Sequence, residues 1–134
     1  MRQRNPLPQN KQTSIEPPYR HIQEQQIGRL LDQYGIPFFY RSPMMILDQE
    51  RHKIWQPSFS LPQFGMSVID YMTDERDISG RIAVYHYNQI PATVLGPRDM
   101  DKPNWQQELY ERLQKEVLKE PEYSLDRIVQ FGRS

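Results

Sequence analysis

Residues 55–72, WQPSFSLPQFGMSVIDYM, decide the fold. They read as two apolar strands joined by a tight turn, Leu61-Pro62-Gln63-Phe64-Gly65, with Asp70 inside the second strand. Side chains alternate along a strand, so Val68, Asp70 and Met72 share one face while Ile69 and Tyr71 share the other. Apolar residues on both faces mark a central strand covered from both sides. A carboxylate buried there without a partner costs several kcal/mol, so Asp70 requires an explanation.

Upstream, Ile27, Leu30, Leu31 and Tyr34 fall at helical spacing and Gly35 stands where a left-handed cap belongs, which predicts a helix over 19–34. Glu24 borders its apolar stripe, an unusual place for a carboxylate unless it serves a site or pairs with Arg20 one turn back. Ile36 to Tyr40 and Met44 to Leu47 read as one broken strand at a sheet edge. After the polar turn Asp48-Gln49-Glu50-Arg51, residues 52–61 read as the next strand, so that three adjacent antiparallel strands end at Met72.

Downstream, Thr73-Asp74-Glu75 offers caps for a helix reaching Asn88, with Ile78, Ile82 and Tyr85 inward. Residues 89–96, QIPATVLG, form a short apolar run between helices, which predicts a crossover strand parallel to the third. Trp105, Leu109, Leu113 and Val117 recur every four residues within a helix over 101–119, and Asp101 with Pro103 provides its start. Ser124 is placed to cap a last helix that docks through Leu125, Ile128 and Val129.

The chain has 134 residues, enough for one domain with a core. Residues 1–18 carry four prolines with Arg2, Arg4 and Lys11 and read as a disordered arm, 19–120 as the domain, and 121–134 as a docking segment. Lysine plus arginine equals aspartate plus glutamate at 17 each, so no global positive field draws the protein to nucleic acid. The absence of cysteine excludes disulfides and thiolate chemistry and fits a reducing cytosol. No run reaches the length of a membrane span and no apolar stretch follows the basic start, so a soluble cytoplasmic protein without a membrane partner is expected. His21, His52 and His86 lack ligand spacing, and no glycine-rich phosphate loop or nucleophile elbow is present.

The fold class is therefore α/β with a mixed sheet: helix, three antiparallel strands, helix, strand, helix. With a glutamate in the first helix, Pro57-Ser58-Phe59 on the second strand and Ile69-Asp70-Tyr71-Met72 on the third, it resembles the PD-(D/E)XK nuclease superfamily. The nearest layout is that of the small resolvase-like and very-short-patch-repair-like members. The resemblance implies a restriction-endonuclease-like core in which carboxylates hold magnesium and a lysine serves the attacking water.

Carried over by position, Glu24 matches the first-helix acid, Pro57 the motif proline and Asp70 the third-strand acid. These two carboxylates are then the catalytic and metal-binding candidates. Ser58 stands where the metal-binding aspartate belongs and Met72 where the lysine belongs. Serine is a poor neutral ligand for a hard cation, and methionine moves no proton. The expectation is an inactive or impaired nuclease that survives as a DNA- or protein-binding module, without a cofactor, with Asp70 bonded to Ser58 or titrating high. One alternative is an active magnesium-dependent endonuclease whose lysine has relocated, with Lys53, Arg76 and Arg81 as candidates. Another is a protein-interaction scaffold that meets its partner through exposed aromatic residues such as Tyr85 and Tyr87.

Overall fold

A computed structural model describes residues 15–116. The expected last helix with Ser124, Leu125, Ile128 and Val129 lies outside the described residues, as does most of the arm over 1–18.

The first helix, α1 (Ile22–Gln33), starts three residues later than its spacing suggested and ends in a left-handed turn at Gly35, φ 71°. Gly35 N donates to Asp32 O and Ile36 N to Leu31 O, so two terminal carbonyls are satisfied while Ile36 is buried beneath the turn.

The main sheet has four strands in the order β1 (Phe39–Tyr40), β4 (Phe59–Leu61), β5 (Ser67–Tyr71) and β6 (Ala92–Leu95). The first two pairings are antiparallel and β5–β6 is parallel, with α2 (Ile78–Tyr87) as the crossover. The mixed α/β class expected from the sequence is therefore observed. One helical turn over Glu75–Asp77 precedes α2, and Asp74 accepts the Arg76 N–H at its start.

Two strand expectations are corrected. The run through Ile36 and Leu47 is not one edge strand, and residues 52–61 are not one strand. Instead, among the described residues, β2 (Met44–Asp48) and β3 (Arg51–Trp55) pair only with each other, as a separate hairpin inserted between β1 and β4. The turn explains the closure, because Gln49 and Glu50 both adopt positive φ (55° and 65°), the backbone of a two-residue hairpin loop. Prolines bound the insert on both sides: Pro43 precedes it and Pro57 follows it, and neither has an N–H to extend a ladder.

Apolar residues fill both faces of the sheet. On one, Ile27 and Leu31 of α1 pack with Phe59, Leu61, Ile69 and Leu95 and with Leu109 and Leu113 of α4 (Trp105–Glu116). On the other, Val68 and Val94 pack with Ile46 of the hairpin and Tyr85 of α2. Ile82 is not inward but exposed, since Arg81 and Tyr85 carry the sheet-facing side of α2. α4 begins at Trp105 rather than Asp101, because α3 (Pro97–Met100) and a turn take up the preceding residues. No helix among the described residues is long and apolar enough to cross a membrane.

Candidate functional site

The register of β4 and β5 fixes the centre of the site. Phe59 lies opposite Ile69 and Ser60 opposite Val68, so Ser58, just before β4, faces Asp70. The Ser58 backbone N–H donates to Asp70 Oδ1 at 3.1 Å. Its hydroxyl oxygen lies 2.7 Å from Glu24 Oε2 and 3.3 Å from Asp70 Oδ1, and it accepts the Tyr71 N–H at 3.0 Å. A hydroxyl has a single proton, and the shorter contact directs it to Glu24. One serine thus joins the helix-borne acid to the strand-borne acid, and all three side chains are buried.

Each carboxylate is also neutralised by an arginine of this chain. Arg41 Nη2 donates to Glu24 Oε2 at 2.7 Å, and Arg81 Nε donates to Asp70 Oδ2 at 2.9 Å. A tyrosine completes each pair: the Tyr40 hydroxyl donates to Glu24 Oε1 at 2.5 Å and the Tyr85 hydroxyl to Asp70 Oδ2 at 2.7 Å. Arg81 is further fixed by lying over the Trp55 ring, 3.8 Å from its centroid. Burial pushes the Glu24 carboxyl up, but the Tyr40 and Ser58 hydrogen bonds and the Arg41 charge outweigh it and hold Glu24 below the usual carboxylate range. Burial, reinforced by the adjoining carboxylates, raises the phenols of Tyr40 and Tyr85.

Glu24, Ser58 and Asp70 are therefore brought together, with Pro57 buried beside them. Of the three candidates for a relocated basic group, Arg81 stands at the site, on Asp70, and the remaining candidates stand elsewhere. Met72 packs with the core group that contains Val68 and Tyr85. Lys53, on the hairpin, pairs with Asp48 at 3.0 Å, and Arg76 pairs with Asp74 at 2.8 Å. Glu24 pairs with Arg41 and not with Arg20, whose backbone N–H reaches the Tyr40 hydroxyl instead. Tyr85 is buried and bonded to Asp70, so of the two aromatic residues expected on the surface only Tyr87 is there.

Sequence reasoning missed Tyr40 and Arg41, which sit beside a proline-bounded insert with no spacing that relates them to Glu24. Arg81 and Tyr85 carried a usable signal: four residues apart on α2, they share the helix face turned to Asp70.

The donor set does not fit a magnesium ion. All four carboxylate oxygens of Glu24 and Asp70 already accept hydrogen bonds, and the third group between them is a neutral hydroxyl. Among the described residues no three or more His, Cys, Asp or Glu side chains gather as a metal site. Chemically the arrangement is a closed ion-pair cluster that ties α1, β1, β4, β5 and α2 together. Comparison with known proteins finds no matching family model, no matching curated protein and no matching solved structure.

Proposed function

We propose that this chain is a restriction-endonuclease-like domain that has exchanged a metal-dependent nuclease site for an internal ion-pair cluster and works as a binding module. Three features support the lineage: a helix bearing Glu24, an antiparallel succession β1–β4–β5 ending on Asp70, and a crossover helix leading to the parallel strand β6. The observation that carries the loss of catalysis is the double pairing Arg41–Glu24 and Arg81–Asp70 about Ser58. With Met72 packed against the core, Lys53 held by Asp48 and Arg81 engaged as the guanidinium partner of Asp70, no lysine among the described residues stands by either acid to serve an attacking water.

A protein partner suits the surface better than DNA. Net charge is zero, while Met45 and Ile54 face each other across the hairpin and are both exposed, as is Tyr87 on α2. The test is a nuclease assay with magnesium or manganese on branched, mismatched and single-stranded DNA. No cleavage is expected, and metal-dependent cutting that Asp70→Ala abolishes rejects the proposal.

A further inference from the structure

The segment ahead of α1 does not simply lead into the helix. Glu16 forms a bidentate pair with Arg29, at 2.9 and 3.2 Å, two turns into α1. Arg20 N donates to the Tyr40 hydroxyl at 2.9 Å, the same hydroxyl that donates to Glu24. Between these ties, the Tyr19 ring lies edge-on to Tyr40, with centroids 4.8 Å apart, and fills a notch that exists only because residue 28 is glycine. A Cβ at Gly28 would stand 2.1 Å from the Tyr19 oxygen and 2.7 Å from Cζ.

The notch suits a phenyl ring better than a phenol. The Tyr19 hydroxyl is shut away from water and has no hydrogen-bond partner among the described residues, which opposes the seating that the ring contacts favour. Burial also pushes this phenol up to about 12.

We propose that residues 16–20 are a releasable strap over the Glu24 end of the cluster, held by the Glu16–Arg29 clasp and the Tyr19–Gly28 notch and poised to open by the unpartnered Tyr19 hydroxyl. Opening removes the Arg20 N–H from Tyr40 and uncovers an aromatic slot bounded by Gly28, Tyr40 and Phe59. The device is independent of any nuclease ancestry, since it rests on the contacts of the strap with α1 and with the Tyr40 and Phe59 rings.

Amide hydrogen exchange on the full chain tests it, with the Arg20 amide reporting the strap and the Ile69 amide reporting the core. In the wild type Arg20 exchanges faster than Ile69, by opening without global unfolding. Tyr19→Phe slows Arg20 exchange about five-fold or more, the scale of relieving one buried unsatisfied group. Gly28→Ala favours the helix itself, yet it speeds Arg20 exchange about ten-fold or more, the scale of an overpacked contact, and leaves Ile69 unchanged or slower. Exchange of Arg20 at the Ile69 rate in the wild type overturns the strap. So does a Tyr19→Phe chain whose Arg20 amide exchanges no more slowly, or a Gly28→Ala chain in which that amide stays as protected as before.

Discussion

Replacing Arg41 with methionine keeps much of the side-chain length and removes the charge that faces Glu24. Glu24 is fully buried and Arg41 about one-fifth exposed, so the substitution leaves an interior carboxylate with two hydroxyl donors and no cation. Breaking a buried pair in this way costs about 3–5 kcal/mol, and the partial exposure of Arg41 places the expected loss near the lower end, about 3 kcal/mol. The pH dependence weakens as well. In the wild type the Glu24 carboxyl is held below its unfolded value, so its stabilisation is complete above about pH 4.3 and is lost as pH falls through the lowered folded value. Without Arg41, two of the causes that oppose burial are gone while the Tyr40 and Ser58 hydrogen bonds remain, so the folded value moves up from its lowered position. Less stability is then lost on protonating Glu24, and the variant's acid-side slope is shallower than the wild type's. Urea unfolding followed by circular dichroism at neutral and mildly acid pH measures both effects. Glu24→Gln added to Arg41→Met restores most of the loss, because the unpaired charge is gone. A single variant that loses under about 1 kcal/mol, as an exposed pair would, and keeps the wild-type pH slope refutes the pairing.

Ser58→Ala leaves the Tyr71 N–H without its acceptor and Glu24 without one donor, and is expected to cost about 2–4 kcal/mol by the same unfolding assay. Tyr85→Phe removes one donor to Asp70 while the ring still fills its place beside Trp55, so a smaller loss of about 1.5–3 kcal/mol is expected in thermal or urea unfolding. Gln89 sits in the left-handed conformation that closes α2, φ 58°, with Ile90 N bonded to Tyr85 O. Gln89→Gly is therefore expected to stabilise the protein by about 1 kcal/mol, read as a higher urea midpoint, and a lower midpoint contradicts it.

The central strand was legible because Ser67–Tyr71 is apolar on both faces and bounded by Gly65 and Thr73, and the crossover to β6 followed from a short apolar run between helical stretches. The hairpin was not. Met44–Asp48 and Arg51–Trp55 have the composition of sheet strands, and only the backbone of Gln49 and Glu50 makes them pair with each other. Charge partners were harder still. Glu24 and Asp70 could be singled out because carboxylates stand poorly beside apolar stripes. What neutralises them depends on where the chain returns in space, as it does at Arg41, 17 residues after Glu24. Local spacing offered Arg20 as the partner, and tertiary structure supplied Arg41 instead.

The most direct test of the closed cluster is manganese titration of the full-length chain, followed by paramagnetic broadening of the Ser58 and Tyr71 amide resonances. Both amides belong to the hydrogen-bonded core of the site, so an ion held between Glu24 and Asp70 could not leave them sharp. With all four carboxylate oxygens engaged by the chain's own donors, neither resonance should broaden ahead of amides elsewhere in the sheet. Selective, saturable broadening at both that Asp70→Asn removes would show a working divalent site and contradict the account.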